Sequence, residues 1–591
     1  MNRKDIKLNN KSRNDQNIDN QQQQQQQQQQ YHQIQQQQQP QINNDPISRF
    51  NLDNHIIPLS KNKSLLLFQR EDYLYFHGKI LIKSLIGDID IYGFNINSCL
   101  KKYYPVYSPF CSPALSISCH SNTLFYLKDI INNNNTSNSA LPDSIIKELE
   151  SKQQSIDPTT QFSCIAIIKH LSENCENSKM FMKRKVEVFK NNSVDQFYPL
   201  YKPDYSVQPL IISQQWIDII DYEFLSTNKI PSILSCGDKN VGKSTFNRVL
   251  VNKLLQKFSH IIYIDTDTGQ TEFTPSGLVY IDIINEPLLG PPFTHCKKDV
   301  LKSYFFGDTS PKSNPEYYIT LVNQVIASYQ SIKAKYPNIP VVLNTNGWTK
   351  SLGLFLLQEI IKSFQPQSII HLYNSHSINQ HQQGIIFDQN EIDQLNQGTK
   401  LIMTPSIAPH GLPSLNIGSS QTRNLMFSNY FGTETTSLLD QVPYQVPWKI
   451  FKVKVLTGQV PPSQTMYALN ASLVGICLEG PEYKDLSFKL SHKVPTIING
   501  DIQITECVGL GIIRSIDMEH GLFYILTPIP LDTLSKSNTL LKGTLDIPPT
   551  ALSVSVSSTG SIIVPYNQLD VLSSYGTGAD TMNRSKKYRN D

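Results

Sequence analysis

The run Gly237-Asp238-Lys239-Asn240-Val241-Gly242-Lys243-Ser244-Thr245 places two glycines, a lysine and a hydroxyl at the spacing G-x-x-x-x-G-K-[ST]. These residue types at this spacing hold phosphate. The glycines let the backbone turn its N–H groups toward phosphate oxygens, and the helix that follows offers its positive dipole end to the same anion. Lys243 would reach the β- and γ-phosphates of a nucleoside triphosphate, and the Ser244 hydroxyl would hold Mg²⁺. About twenty residues on, Asp265-Thr266-Asp267-Thr268-Gly269-Gln270 closes the apolar run Ile261-Ile262-Tyr263-Ile264. Carboxylates at the C-terminal end of a parallel strand sit at the crevice where α/β sheets bind ligands. One of the pair can orient Mg²⁺ and its waters while the other takes a proton from an attacking hydroxyl.

These groups need elements that hold them. Ile233 and Leu234 before the glycine loop read as a short buried strand. Phe246, Val249, Leu250, Leu254 and Leu255 recur at helical spacing after it. The stretch from about Val207 to Gln441 alternates strand and helix, as a parallel sheet with crossovers does. Asn314-Pro315-Glu316 starts a helix toward Lys335, Ile339 to Leu343 is a strand, Ser351 to Phe364 a helix and Ser368 to Leu372 a strand. On either side the pattern is β-rich. Leu65-Leu66-Leu67-Phe68, Leu74, Phe76, Ile80, Ile82, Ile89, Ile91 and Phe94 are punctuated by Gly78, Gly87 and Gly93, as in a sandwich or small barrel. Phe451, Val453, Val455, Phe523 and Ile525 mark a second β-rich region.

The expected organisation is a disordered Gln/Asn-rich head over 1–60 and an N-terminal β domain over 61–205. A P-loop domain follows over 206–441, then a C-terminal β-rich domain over 442–565 and a flexible basic tail over 566–591. Ten consecutive glutamines from Gln21 to Gln30 cannot bury enough apolar surface to order the head. Lys183-Arg184-Lys185 reads first as a solvated strand end, and the tail carries Arg584, Lys586, Lys587 and Arg589. The net charge of +3 over 591 residues announces no nucleic acid, so any basic surface is local. Nine scattered cysteines without a C-x-x-C pair point to a reducing compartment and away from structural zinc. No apolar run is long enough for a membrane span. The chemistry is narrowed further by what the motifs lack: there is no N-K-x-D for guanine, no Asp-Glu dipeptide of a helicase and no L-S-G-G-Q of a transporter ATPase. A small kinase-like module or an ATPase switch remains.

Three motifs in order, Asp265-x-Asp267-x-Gly269-Gln270, Phe306-Gly307-Asp308-Thr309-Ser310-Pro311 and Asn344-Thr345-Asn346-Gly347-Trp348, resemble the eukaryotic polynucleotide 5′-hydroxyl kinases. Ala468-Leu469-Asn470, Leu473-Val474-Gly475, the run Cys507 to Asp517 and Leu526-Thr527-Pro528 are similar to the nucleolar, ribosomal-RNA-processing branch of that family. The resemblance spans roughly Leu65 to Pro549. It implies transfer of the ATP γ-phosphate to an RNA 5′ end of pre-ribosomal RNA, with ATP and Mg²⁺ gripped by the Gly237–Thr245 loop. It further implies Asp265 as a water-mediated Mg²⁺ holder, Asp267 as the base, and Thr309, Asn344, Thr345, Gly347 and Trp348 as a clasp on the RNA end. Gln421 to Phe431 resembles the family's lid, in which Arg423 would neutralise transition-state charge. An endonuclease partner and residence in the nucleus and nucleolus follow from the same likeness. The competing reading is an ATP-binding scaffold or switch without kinase turnover.

Overall fold

The computed structural model describes residues 48–133, 141–171, 188, 197–201, 207–374, 386–407, 417–432, 438, 441–456, 460–478, 487–488, 495–498, 504–547, 555–556 and 562–563. The Gln-rich run, Lys183-Arg184-Lys185 and the basic tail lie outside the described residues.

Seven strands carry the phosphate loop and its neighbours: β1 (Ser232–Gly237), β2 (Ile261–Asp265), β3 (Leu278–Ile284), β4 (Lys302–Phe305), β5 (Val341–Asn344), β6 (Ser368–Tyr373) and β7 (Lys400–Pro405). Their order is β7-β6-β1-β5-β2-β3-β4. The first five strands of that order run parallel, whereas β2–β3 and β3–β4 pair antiparallel. The sheet is therefore mixed, which corrects the expectation of a parallel one. The connection Thr266–Gly277 contains no helix, and β3 returns antiparallel beside β2.

Every residue of β1, β2 and β5 is buried, because helices cover both faces. Alternate side chains divide between them. Ile233, Tyr263 and Val342 join Phe246 and Leu250 of α1 (Lys243–Leu254). Leu234, Ile262, Ile264 and Leu343 join Tyr318 and Leu321 of α2 (Pro315–Lys335) and Leu357 and Ile360 of α3 (Leu352–Phe364). Asn314 caps α2 by accepting the Tyr317 N–H at 3.1 Å, with Pro315 in the first turn. A fourth helix, α4 (Ser419–Phe431), covers the expected lid segment.

The C-terminal strands extend this sheet rather than forming a separate one. β4 meets the strand Glu506–Asp517 through Tyr304 opposite Glu506, and the Ser303 hydroxyl donates to the Cys507 carbonyl at 2.6 Å. Arg514 donates to the Gln441 carbonyl, while Asp517 pairs with His520 at 2.8 Å.

Among the described residues, strands between Ile56 and Leu200 form a nine-stranded antiparallel sheet built on the long strand Tyr73–Ile86. That strand changes partners around Gly78, which adopts φ 130°. Helices Leu127–Asn133 and Asp143–Gln153 cover one of its faces. One hairpin of this sheet, Asp88–Asn97, reaches the sheet-and-helix core that carries the phosphate loop. Its tip residues Tyr92 and Gly93 take φ 55° and 78° and lie on α1. There Asn252 donates to the Tyr92 and Leu288 carbonyls at 2.9 and 3.0 Å, and Gln256 donates to the Gly93 carbonyl at 3.0 Å.

Candidate phosphoryl-transfer site

The phosphate loop leaves β1 at Gly237 and enters α1 at Gly242, both with positive φ. A Cβ on Gly237 would run into the Leu372 carbonyl, and Val241 packs inward against the same glycine. Asn240 also takes a left-handed φ of 66°, a conformation asparagine tolerates better than most residues. Gly242 faces the ring of the buried Trp216, 3.3 Å from where a Cβ would stand, and Trp216 packs edge-on against Phe246. The loop is thus backed at its two glycines by Leu372, Val241 and Trp216.

Lys243 is 8% exposed and donates its ammonium to the Gly237 and Asp238 carbonyls, each at 2.8 Å. Burial pulls its pKa down, opposed chiefly by the charge of Asp267. Ser244 and Thr245 line a cleft of about 200 Å³ whose opposite wall is Thr422, Arg423 and Met426 of α4. Arg423 and the phosphate loop therefore share one cavity. Burial also lowers the Arg423 pKa, and Asp267 again acts against it. Asp267 stands in the field of both cations.

The two aspartates differ sharply in setting. Asp265 is 0% exposed. Its Oδ1 accepts from Asp267 N–H at 3.1 Å and Asn344 Nδ2 at 2.9 Å, and its Oδ2 from Glu272 N–H at 2.9 Å and the Tyr280 hydroxyl at 3.1 Å. Burial, then the Asp267 charge, pushes its pKa up to about 7 against those donors. Asp267 is partly exposed, and its Oδ1 accepts the Gly269 and Gln270 N–H groups at 2.9 and 3.1 Å. Its other oxygen is the one left to face a substrate.

The clasp segment abuts the phosphate loop. Gly347 lies against Lys239, where a Cβ would come within 2.8 Å of the Lys239 Cα, and Thr349 hydrogen-bonds Asp238. Asn344 and Thr345, each 2% exposed, are turned inward: Asn344 bridges Asn247 and Asp265, and Thr345 donates to the Ser235 carbonyl at 2.8 Å. Their side chains are thus committed to protein groups rather than open for a clasp. Trp348 is partly exposed and rests on Gly353 of α3, whose Cβ would stand 2.5 Å from its Cγ. Asn346 ties this loop to the acidic one. It accepts the Trp348 N–H at 2.9 Å and donates to the Tyr318 hydroxyl at 3.2 Å, which donates to the Thr266 carbonyl at 2.8 Å. Thr309 approaches Gly269 through its carbonyl, and Asp308 accepts the Thr544 hydroxyl at 2.6 Å.

Sequence reading missed several residues here. Arg248 lines the cleft while Glu272 holds it by two hydrogen bonds at 2.6 and 3.0 Å. Asn247, Asn252 and Arg248 were legible only as polar interruptions in an otherwise apolar helix. Tyr280 and Trp216 carried no signal beyond core packing.

Among the described residues no three His, Cys, Asp or Glu side chains gather as a metal site. The Ser244 hydroxyl on the cleft wall fits a cation carried mainly by phosphate oxygens and water, as Mg²⁺ usually is.

A glycine cradle at a helix start, a buried lysine and paired carboxylates on the next strand define a P-loop phosphotransferase. The family model for the mRNA cleavage and polyadenylation factor CLP1 P-loop matches residues 237–433, from the phosphate loop through α4. The polynucleotide 5′-hydroxyl-kinase NOL9 N-terminal domain matches 56–208, and the NOL9-like C-terminal domain 439–548. Polynucleotide 5′-hydroxyl-kinase nol9 of Dictyostelium discoideum is 48% identical over 92% of this chain and 88% of its own. The Danio rerio relative is 28% identical over 83% of this chain and 72% of its own, and that of Homo sapiens 27% over 87% and 78%. The chain belongs to the polynucleotide 5′-hydroxyl-kinase NOL9 family. Among its described residues no helix is long and apolar enough to cross a membrane.

Proposed function

We propose that this chain transfers the γ-phosphate of ATP to the 5′-hydroxyl of RNA, on spacer ends of pre-ribosomal RNA in the nucleolus. The observation that carries it is the position of Asp267, at the end of β2 and within the fields of Lys243 and Arg423. The names of the relatives support the acceptor, a polynucleotide 5′-hydroxyl.

In this reading the loop Gly237–Thr245 takes the triphosphate and Lys243 exchanges its two carbonyl partners for β- and γ-phosphate oxygens. Ser244, and Asp265 through water, would hold Mg²⁺, which would supply positive charge beside those phosphates. The 5′-oxygen forms its bond to the γ-phosphorus in line with the breaking bond to the β–γ bridging oxygen. ADP leaves with that bond's electron pair, and the hydroxyl proton passes to Asp267. Arg423 closes over the charge spread on the transferring group. Trp348 stacks on the terminal base, and Thr309 and Gly347 shape the path of the strand. Asn344 and Thr345 act as positioning residues for Asp265 and the phosphate loop.

The β-rich parts would form an N-terminal domain over 61–205 and a C-terminal domain over 442–565 on either side of the kinase domain at 206–441. The three family-model matches support that division. An endonuclease that leaves a 5′-hydroxyl is the partner this activity needs.

The deciding experiment is transfer from γ-labelled ATP to 5′-hydroxyl RNA and DNA oligomers by wild type, Lys243→Ala and Asp267→Asn. Transfer by wild type that both substitutions abolish establishes the kinase and its base. ATP binding without transfer, alone and with an endonuclease partner present, establishes the scaffold reading instead.

A further inference from the structure

Arg248 is the polar anomaly of the cleft. It projects from α1 into the cavity that also holds Ser244, Gln270 and Arg423, with its side chain 11% exposed. Glu272 takes its Nε and one Nη2 hydrogen, at 2.6 and 3.0 Å. The Tyr92 hydroxyl accepts from Nη1 at 3.2 Å. One hydrogen remains on each Nη nitrogen, that of Nη2 at the outer end of the guanidinium. Glu272 is itself fixed by His295 Nε2 at 2.8 Å and sits 3% exposed behind the guanidinium. A guanidinium clamped from behind on the wall of a cleft, with N–H groups still to give, can serve as an oxyanion ligand.

Lys243 and Ser244 already serve the triphosphate side of this cavity. We infer that Arg248 binds the first phosphodiester of the acceptor strand, the one 3′ to the reacting nucleotide. Tyr92 is then a positioning residue. The turn between two strands of the N-terminal sheet supplies it, so that sheet forms part of the acceptor site rather than an appended module. Such a contact lets the site tell a polynucleotide end from a nucleoside, which has no phosphate there. The inference rests on the kinase reading for the identity of the acceptor, but not for its test.

The test is equilibrium binding without ATP, by anisotropy of 3′-labelled 5′-hydroxyl RNA tetramers. One probe carries an ordinary first phosphodiester and the other a neutral methylphosphonate at that linkage. Wild type should prefer the charged probe by about ten- to a hundredfold, the range of a charge-assisted contact. The double variant Arg248→Gln/Glu272→Gln removes both buried charges together, which avoids leaving one unpaired. It should bind the two probes alike while ATP affinity stays unchanged. Arg248→Lys keeps the charge but loses the fork, and Tyr92→Phe keeps the ring but frees the arginine. Each should reduce the preference severalfold, and these two single variants carry the test if the double variant does not fold. Undiminished preference in the variants, equal weakening of both probes, or no preference in wild type overturns the assignment. Retained preference with no phosphate transfer by wild type would sink the kinase reading and leave the phosphate site standing.

Discussion

Asn344 Nδ2 donates to Asp265 Oδ1 across 2.9 Å, joining residues that are register partners at the ends of the parallel strands β5 and β2. The Asn344 Oδ1 in turn accepts from Asn247 Nδ2 at 3.0 Å, and Asn247 also donates to the Ser235 hydroxyl at 2.8 Å. One buried amide thereby fixes the acid, the phosphate-loop helix and the strand feeding that loop.

Asn344→Ala should therefore behave as a buried network deletion. It removes a donor from Asp265 and an acceptor from Asn247, so a stability loss of about 2–3 kcal/mol is expected in urea unfolding. Transfer activity should fall more than ATP affinity, because the acid loses its orientation while the phosphate loop keeps its own contacts. A loss of ATP binding equal to the loss of activity would place Asn344 in the nucleotide site instead.

Burial, then the Asp267 charge, raises the pKa of Asp265 from the ordinary carboxylate value of 3.8 to about 7. Between about pH 4 and 7 the folded chain then holds a proton that the unfolded chain has lost. Stability from this group is greatest at the acid end and declines as pH rises through about 7. Melting temperature followed over pH 4.5 to about 8 should show that decline in wild type, and a flatter profile in Asp265→Asn. Identical slopes in the two proteins would show that another group sets the dependence.

Lys243→Ala and Asp267→Asn should fail in different ways. The first deletes the ammonium held between two loop carbonyls and should weaken ATP binding as well as abolish turnover. The second keeps the side chain's Oδ1 contacts to Gly269 and Gln270 available. Its kcat should drop by about 10²–10⁴ with ATP affinity nearly intact. Single-turnover transfer beside nucleotide titration separates the two.

The ring of Trp348 rests on Gly353, in the first turn of α3. Trp348→Ala should weaken binding of a 5′-hydroxyl RNA end by about 1–3 kcal/mol, whatever its terminal base. Gly353→Ala should do nearly the same without touching the ring itself, since its Cβ would displace the indole from 2.5 Å away. RNA affinity unchanged in Gly353→Ala, with the fold intact, would assign the tryptophan to packing.

The sequence by itself determined the phosphate loop, the acidic strand end and the helices from Pro315 and Leu352. Each is announced locally, by glycine and lysine spacing, by an Asn-Pro cap or by apolar periodicity. What it could not determine was which of two neighbouring aspartates is sealed inside. Asp265 and Asp267 look alike in the chain, and only the helices, Tyr280 and Asn344 closing around β2 divide them into a buried and an open carboxylate. The antiparallel return of β3 and β4 was also invisible, because a buried strand reads the same in either direction. Tyr92 and Arg248 are 156 positions apart. Their meeting belongs to the docking of one sheet on another, which no local spacing encodes.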